Sequence, residues 1–222
     1  MTRRPAVLSW SSGKDSAMAL HVLQGDPVLD VSVLATTTVE GADRVKVHGT
    51  RTAIIRAQAA VLGLPLVEIP LPDPCPNDIY QDRFAKAARS LADQGIRDWV
   101  FGDLFLADIR AFREAQIAAL GLTAHFPLWG LDTTTLARRM IAEGIRARVV
   151  AMDATRMPET LAGALLDADF LDRLPEDVDP CGERGEFHTI VGDMPGFAAP
   201  LALTPVGTRR EGDTILIDFA LA

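Results

Sequence analysis

The amino-acid sequence predicts an α/β fold, a parallel β-sheet with helices on both faces, followed by a smaller C-terminal α+β domain. Short apolar segments typical of buried strands alternate with segments of helical periodicity as far as about residue 126. Beyond about residue 130 the segments are shorter and richer in turn residues, and the C-terminal residues have the pattern of an antiparallel hairpin. We therefore place a first domain at residues 1–130 and a second domain, predicted to bind a substrate, at residues 131–222.

The individual elements follow from short apolar or β-branched runs and from helical stretches that end near a glycine. The predicted parallel strands are residues 6–10, 31–36, 66–69, 99–102 and 124–126. The predicted helices are residues 15–23, 51–62, 79–94, 109–120 and 133–143, the last with Asp132 as its N-cap. Prolines at positions 70, 72, 74 and 76 predict an irregular connection. A strand at 148–152 and hairpin strands at 202–209 and 214–220 complete the second domain.

The composition is that of an ordinary soluble globular protein and disfavours several functions. The 222 residues are 48% apolar, and the net charge of −8 argues against non-specific binding to nucleic acid or to a membrane surface. The two cysteines, Cys75 and Cys181, lack the spacing of a zinc site. No apolar run reaches the roughly 18 residues that a membrane span needs. We expect a cytoplasmic protein. The sequence does not fix its oligomeric state, and a homodimer is one alternative.

A polar loop between the first predicted strand and the first helix is the strongest candidate for a phosphate site. It consists of Ser11, Ser12, Gly13, Lys14, Asp15 and Ser16. Small residues let the backbone approach a phosphate, the helix N-terminus offers N–H donors, and Lys14 adds a cation. The loop is not a Walker A sequence, because Leu8 stands at the position of its first glycine and Asp15 follows the lysine. An ordinary capped turn is the alternative.

Other loops that follow strands meet this loop at the carboxyl edge of the predicted sheet, where open α/β folds bind ligands. Thr36 ends the second strand, and His48, before the second helix, is a phosphate contact or a structural histidine. Gly102 leaves space for a nucleotide ring or simply ends the fourth strand. Asp103 is a candidate metal ligand or helix cap. Asp15, next to the phosphates, is the predicted ligand of a bridging Mg²⁺.

Two arginines, the neighbouring Glu114 and a tryptophan are candidates for substrate binding. Arg110 and Arg113 lie three residues apart and therefore close together on the predicted helix. Their guanidinium groups could clamp a phosphate or a carboxylate through paired hydrogen bonds. The alternative is a solvated helix face on which Glu114 pairs with an arginine. Trp129 either packs at the domain junction or stacks on the substrate.

Glu183, Glu186 and His188 form a dense group of titratable residues in the second domain. Titratable groups next to flexible backbone favour a reactive site over a core. Each of the three could accept a proton from an attacking nucleophile, and the sequence does not rank them. We predict that Cys181, directly before this group, is structural, because no partner base is evident in the sequence.

The loop at residues 11–16 resembles the SGGKDS signature of the PP-loop ATP pyrophosphatase superfamily, with Ser12 in place of the usual glycine. The resemblance implies a HUP-like (Rossmann-like) fold and an ATP molecule whose pyrophosphate is bound by this loop. It also implies attack of a substrate oxygen on the α-phosphorus, which yields an adenylate and pyrophosphate.

Four further segments, in order, resemble the diphthine–ammonia ligase family, an ATP-binding branch of that superfamily. They are VHGT at residues 47–50, GDLFLADIR at 102–110, PLWG at 127–130, and CGERGEFHT at 181–189, which is close to the family's CGENGEFHT. The resemblance covers most of the chain. It departs from the family where Arg184 replaces asparagine, a change that bears on substrate binding.

The family resemblance implies an ATP-dependent ligase that adenylylates a carboxylate and transfers ammonia to it, with ATP and Mg²⁺ as cofactors. Glu183, Glu186 or His188 would then act on ammonia. The implied acceptor is diphthine, the modified histidine of elongation factor two, and a small carboxylic acid, for example of the corrinoid type, is the alternative. No glutaminase domain is evident, so either free ammonia or a partner is expected to supply the nitrogen.

Two other functions remain as alternatives. Modification of tRNA by thiolation or lysidine formation calls for a catalytic cysteine pair or a basic surface, and two separated cysteines with a net charge of −8 disfavour both. A non-catalytic nucleotide sensor, like the universal stress proteins, would carry a different, glycine-rich phosphate loop later in the chain.

Overall fold

The computed structural model describes residues 2–45 and 49–222, and a five-stranded parallel sheet forms the centre of the first domain. Its strands are β1 (Arg4–Ser9), β2 (Leu29–Val39), β3 (Leu66–Leu71), β4 (Asp98–Val100) and β5 (Thr123–His125). Their order is β3-β2-β1-β4-β5, and each neighbouring pair is parallel. The predicted α/β fold is confirmed. The order reverses between β1 and β4, the position at which such sheets open a crevice for a ligand.

Four helices connect these strands and cover both faces of the sheet. They are α1 (Lys14–Gln24), α2 (Thr52–Leu62), α3 (Asn77–Asp93) and α4 (Ala107–Ala118). Alternate residues of β1 enter different hydrophobic clusters: Leu8 packs with Met18 of α1, whereas Val7 packs with Phe84 of α3. This alternation follows from the two-residue period of a strand, and it explains why β1 is apolar along its length.

β3 extends further than the sequence predicts. It continues through Pro70 to Leu71, with Pro70 opposite Thr38 of β2. The prediction that Pro70 begins an irregular segment is therefore wrong. β3 lies at the edge of the sheet, where a missing N–H group on the outer side removes no ladder hydrogen bond.

The second domain contains a four-stranded antiparallel sheet. Its strands are β6 (Arg146–Asp153), β7 (Phe187–Asp193), β8 (Leu203–Glu211) and β9 (Thr214–Leu221), in the order β7-β6-β9-β8. Helix α5 (Thr133–Ala142) precedes this sheet, and Asp132 caps it as predicted by accepting a hydrogen bond from the Thr135 N–H. A 3₁₀ turn (Glu159–Leu161) and α6 (Ala168–Asp172) lie between β6 and β7. The C-terminal hairpin is confirmed, and β7 is a strand that the sequence analysis did not predict.

The two sheets share one hydrophobic core. The cluster that contains Leu8 and Met18 also contains Met140 of α5, Val149 of β6 and Phe187 of β7. A backbone hydrogen bond of 2.9 Å from the Val191 N–H to the Ser12 carbonyl attaches β7 directly to the loop after β1. The second domain is therefore packed against the carboxyl edge of the parallel sheet. Within the described residues, no helix combines the length and hydrophobicity of a transmembrane segment.

Candidate active site

A cavity of about 520 Å³ opens at the carboxyl edge of the parallel sheet. Its walls come from the segments that follow β1 to β4, from α3 and α4, and from the part of the second domain that begins at Cys181. The predicted site residues that line it are Ser11, Gly13, Lys14, Asp15, Ser16, Thr36, Gly102, Asp103, Arg113, Glu183 and His188. The fold therefore brings residues of both domains to one cavity. His48 lies outside the described residues.

Ser12 belongs to the same loop but its side chain does not line the cavity. The side chain is buried, and its hydroxyl donates to Thr50 Oγ1 over 3.3 Å. The backbone of Ser12 has a φ angle of 71°, in the left-handed region where glycine is favoured. This angle gives a physical reason for the glycine that the resembling signature usually has at this position. Ser12 thus shapes the loop through its backbone, and its predicted contact with a phosphate is not supported by its side-chain position.

The first turn of α1 forms one wall of the cavity. Gly13 is the N-cap residue, and the Lys14 N–H donates to Thr189 Oγ1 of β7 over 3.1 Å. A Cβ atom on Gly13 would lie 3.1 Å from the Thr189 carbonyl oxygen, so glycine is what allows β7 to approach. Ser16 Oγ donates to the Gly13 carbonyl. The cavity therefore borders the N-terminus of a helix, which carries partial positive charge and suits an anion.

Lys14 is almost fully buried, with 2% of its surface exposed. Its Nζ donates to Asp15 Oδ2 over 2.8 Å and lies 5.3 Å from the centre of the Phe187 ring. Burial by itself lowers the pKa of Lys14, but attraction to Asp15 and to other nearby groups, Glu183 among them, outweighs burial and raises it above its usual value. Lys14 therefore keeps a positive charge at the cavity wall.

One oxygen of the Asp15 carboxylate is suited to bind Mg²⁺. Its Oδ2 accepts from Lys14, whereas its buried Oδ1 has no hydrogen-bond partner. A carboxylate oxygen without a donor is suited to a cation that prefers oxygen ligands. Among the described residues, no group of three or more acidic, histidine or cysteine side chains could hold a metal ion by itself. The remaining ligands of a Mg²⁺ ion would have to be phosphate oxygens and water, as is usual for Mg²⁺ bound to nucleotides.

Gly102, at the end of β4, lines the cavity and also touches the first turn of α1. A Cβ atom here would lie 3.0 Å from the carbonyl carbon and oxygen of Asp15 and 3.1 Å from the Ser16 nitrogen. The space that a side chain at residue 102 would fill is therefore occupied by the backbone of Asp15 and Ser16, and not left free for a nucleotide ring as predicted. The absence of a side chain at residue 102 lets β4 pack against the loop at residues 11–16, the candidate phosphate loop.

The two candidate arginines of α4 occupy different environments. Arg113 forms an ion pair with Asp103 over 2.8 Å, stacks on the Phe101 ring and lines the cavity. Arg110 does not line it: the guanidinium lies over the rings of Phe126 and Trp129, at 4.9 and 4.7 Å. Its partner is Glu114, over 2.7 Å. The expected clamp of two arginines is not formed. Arg110, Glu114 and Trp129 instead make one packed unit beside the cavity.

Glu183 is the acid of the second domain that faces the cavity. Its Oε1 accepts a hydrogen bond of 2.9 Å from the Leu104 N–H in the segment after β4. Burial raises the pKa of Glu183 to about 7, and the nearby Asp15 acts in the same direction. Burial and the neighbouring Lys14 lower the pKa of His188 to about 4. The cavity therefore holds an imidazole that is neutral at pH 7 and a carboxyl group whose pKa is shifted towards neutral pH.

Glu186 is fully buried and does not line the cavity. Its Oε1 lies 3.1 Å from Arg156 Nη1 and accepts from the Asp179 N–H over 3.2 Å, and its Oε2 accepts from the Arg184 N–H over 2.9 Å. These bonds close the turn that presents Glu183. The position of Glu186 supports a structural role, not the predicted action on ammonia. Arg184 is exposed at the tip of the turn, 5.5 Å from the Phe105 ring.

Several residues that organise the site were not identified from the sequence. Asp179 accepts from the N–H groups of Cys181 and Glu183 and from the Thr133 hydroxyl, and so fixes the start of the same turn. Its position two residues before Cys181 is a usual one for a turn-forming aspartate, a signal that could have been used. Thr189, which bonds to the loop at residues 11–16, was quoted only as the last residue of the motif at 181–189. Gln58 carries no such signal, because its partners are distant in sequence.

Cys181 lines the cavity as a protonated thiol. Burial raises the pKa of this thiol, in spite of the nearby Lys14. The thiol donates to the Thr133 carbonyl over 3.4 Å. This environment agrees with the prediction of a structural cysteine, since nucleophilic cysteines need a lowered pKa.

The fold and the site together define a Rossmann-like α/β protein whose ligand cavity lies between a strand-to-helix loop and a second domain. The family model of the diphthamide synthase N-terminal domain matches residues 3–122, and that of the diphthamide synthase C-terminal domain matches residues 132–213. The chain therefore belongs to the diphthamide synthase family, the diphthine–ammonia ligases, as its motifs indicated. Among curated proteins, none matches the chain significantly.

Proposed function

We propose that the protein is an ATP-dependent amide ligase that adenylylates a carboxylate and then transfers ammonia to it. One observation carries this proposal: a single cavity joins the N-terminus of α1, with Lys14 and Asp15, to Glu183 and His188 of the second domain. The first group is suited to phosphates and the second to a proton transfer. Membership of the family implies an enzyme of the PP-loop ligase type.

ATP would bind with its β- and γ-phosphates at the loop that contains Ser11 and Gly13. The helix N-terminus and the buried charge of Lys14 would stabilise the phosphates, because charge interactions are strong in a site that excludes water. Asp15 would hold a Mg²⁺ ion, which when bound neutralises charge on the phosphate oxygens. Arg113 would lie near the acceptor, restrained by Asp103 and Phe101.

The first chemical step would be attack of an oxygen of the acceptor carboxylate on the α-phosphorus. A bond forms between that oxygen and phosphorus, the bond from phosphorus to the bridging oxygen breaks, and pyrophosphate leaves with its electron pair. Lys14 and the N–H groups of α1 would stabilise the charge that develops on pyrophosphate.

In the second step, the nitrogen of ammonia would attack the carbonyl carbon of the acyl-adenylate, and AMP would leave. The nitrogen must lose a proton, and ionised Glu183 would accept it. With a pKa of about 7, Glu183 is a base matched to neutral pH. His188 is neutral at that pH and would accept or donate a hydrogen bond without changing charge.

The acceptor would be diphthine on elongation factor two or a small molecule with a carboxylate, and free ammonia would be the nitrogen donor. Arg184, exposed at the tip of the turn that carries Glu183, would contact the part of the acceptor that remains outside the cavity. Protonated Cys181 disfavours a thiolation reaction, which would need a nucleophilic cysteine.

The test is a reaction with ATP, Mg²⁺, ammonium and two sets of acceptors: elongation factor two that carries diphthine, and a panel of small carboxylic acids. We expect equal amounts of AMP, pyrophosphate and amide with one of the two sets. Without ammonium, hydroxylamine should trap the acyl-adenylate as a hydroxamate. Formation of ADP, or binding of ATP without turnover with every acceptor, would contradict the proposal.

A further inference from the structure

A buried glutamine of α2 connects three segments at the phosphate loop. Gln58 is fully buried. Its Oε1 accepts from Trp10 Nε1 over 2.9 Å, and its Nε2 donates to the Val191 carbonyl over 2.7 Å and to the Ser12 carbonyl over 3.3 Å. One amide group therefore contacts the end of β1, the loop that follows it and strand β7 of the second domain.

The contact with Ser12 acts on the strained point of the loop. Ser12 has a φ angle of 71°, which is unfavourable for a residue with a side chain. Its carbonyl accepts from two donors, Gln58 Nε2 and the Val191 N–H at 2.9 Å. These bonds hold the peptide group between Ser12 and Gly13 in one orientation, and that orientation sets the direction of the N–H groups that follow.

Strand β7 supplies the second half of the support. Thr189 contacts the loop through its side-chain hydroxyl, and Val191 does so through its backbone. Thr189 Oγ1 accepts from the Lys14 N–H over 3.1 Å, while Val191 binds both Ser12 and Gln58. The loop that would hold the phosphates is thus supported from the second domain and not only from its own strand and helix.

We propose that Gln58 is a positioning residue that, together with Thr189 and Val191, holds the phosphate loop in its ATP-binding conformation. The inference rests on the proposed binding of ATP at this loop. Gln58 does not line the cavity, so its effect reaches the nucleotide only through the Ser12 peptide group. Loss of its amide should weaken binding of the phosphates and leave recognition of the nucleoside unchanged.

The experiment compares Gln58→Met with Gln116→Met. Gln116 is also a buried glutamine, but it bonds to Gln81 and does not line the cavity. Calorimetry would measure the affinities of ATP, inorganic pyrophosphate and adenosine. For Gln58→Met we expect about tenfold or greater loss of affinity for ATP and pyrophosphate. The Ser12 carbonyl would keep only the Val191 N–H as a donor, and the Val191 carbonyl would lose the donor that Gln58 supplies, so the loop could reorient. Adenosine affinity should stay at the wild-type value, and Gln116→Met should match wild type for all three.

Turnover gives a second readout that a general loss of stability would not produce. The KM for ATP should rise in Gln58→Met while the KM for ammonia stays constant. If Gln58→Met does not fold, Thr189→Val tests the support that β7 gives to the loop, since it keeps the side-chain shape and removes the acceptor of the Lys14 N–H.

The outcomes separate this inference from the function on which it rests. Wild-type affinity for ATP in Gln58→Met, or in Thr189→Val where that variant replaces it, would overturn the positioning role and leave the ligase proposal standing. An equal loss of affinity for ATP and adenosine would do the same. If the wild-type protein binds neither ATP nor pyrophosphate, the proposed function fails, and the inference fails with it.

Discussion

Glu183 and Glu186 lie three residues apart in one turn, yet only the Glu183 carboxylate faces the cavity. Glu186 is fully buried below the turn, where it accepts from two backbone N–H groups and pairs with Arg156. Glu183 instead spans the domain junction and accepts from the Leu104 N–H. The two acids therefore occupy different environments: the hydrogen bonds of Glu186 close the turn, and Glu183 is the acid of the pair that lines the cavity.

Replacement of Glu183 by glutamine separates the two proposed half-reactions. Glu183→Gln keeps an acceptor for the Leu104 N–H but cannot take a proton from ammonia. We expect wild-type ATP affinity and hydroxamate formation with hydroxylamine, with amide formation slower by about 10²–10⁴-fold. Rapid-quench assays of acyl-adenylate and amide would measure both steps. Amide formation at the wild-type rate would exclude Glu183 as the base.

Glu186→Gln is the matched variant, and its expected effect is on stability. It removes the charge that pairs with Arg156, so the free energy of unfolding should fall by about 1–3 kcal/mol. Urea denaturation would measure this loss. Where Glu186→Gln is folded, the rate of amide formation per ATP bound should remain within a few-fold of wild type. A selective loss of the ammonia step would restore Glu186 as a catalytic candidate.

The pH dependence of amide formation should report the ionisation of Glu183. Its pKa is raised to about 7, and the ionised form is the base, so the rate should rise as pH increases through about 7 and then level off. The measurement must hold the concentration of free ammonia constant, because ammonia itself titrates. His188 has a pKa lowered to about 4, so it stays neutral across this range. A profile that is flat for wild type, or unchanged in Glu183→Gln, would contradict the assignment.

Gly102→Ala should weaken ATP binding by displacing the phosphate loop. The added Cβ would lie 3.0 Å from backbone atoms of Asp15, and backbone cannot move aside as a flexible side chain can. We expect a loss of ATP affinity of about tenfold. Gly207→Ala is the control, since a Cβ there has no heavy atom within 4 Å and its φ is not in the left-handed region. Equal ATP affinity in the two variants would show that the close approach at Gly102 is dispensable.

Lys14→Met tests the buried cation while preserving the apolar stem of the side chain. Loss of this buried charge should lower ATP affinity by about 10–100-fold. Lys86→Met, at an exposed position of α3, should bind ATP like wild type. Titration calorimetry with ATP and with adenosine would show whether the loss is specific to phosphates. Undiminished ATP affinity in Lys14→Met would place the triphosphate elsewhere.

Asp218 ties β9 to the segment before α2, and its loss should lower stability in a pH-dependent manner. Its carboxylate accepts paired hydrogen bonds from Arg44 and from Arg51, and these bonds hold the pKa of Asp218 below its usual value. For a depressed carboxyl pKa, the stabilisation is present above the unfolded pKa of about 4 and is lost as pH falls further.

At pH 7, Asp218→Asn should reduce the free energy of unfolding by about 1–2 kcal/mol, a modest value because the cluster is partly exposed. The difference from wild type should shrink as the pH is lowered below 4. Urea denaturation at several pH values would measure it. A difference that is constant with pH would mean that the ion pairs do not contribute.

The parallel sheet and its helices were predictable because their causes are local. Apolar runs such as residues 6–8 must be buried on both faces, and glycines such as Gly63 end a helix in the left-handed conformation. The position of the phosphate loop followed from the same pattern, since a polar loop after a buried strand lies at the carboxyl edge of the sheet.

The different positions of the two glutamates in the motif at residues 181–189 were not predictable from the sequence. The sequence does not rank Glu183, Glu186 and His188 as candidates. The turn at Gly182 and Gly185, with φ angles of 66° and 86°, decides which carboxylate lines the cavity. In the same way, spacing placed Arg110 and Arg113 together, but aromatic rings around α4 hold them in different environments. β7 was not predicted because its first residues, 187–189, were interpreted only as part of the motif at residues 181–189.

The sequence by itself determined the class of fold, the loop suited to phosphates and the membership of the family, because periodicity and short motifs are properties of neighbouring residues. Only the tertiary structure decided that β7 and Gln58 support the Ser12 peptide group, and that Glu183 rather than Glu186 reaches the cavity. Those contacts join residues that are distant in sequence, such as Gln58 and Val191, which are 133 positions apart. They depend on how two separately formed sheets pack, and burial and hydrogen bonding at such a junction are set only when the whole chain has folded.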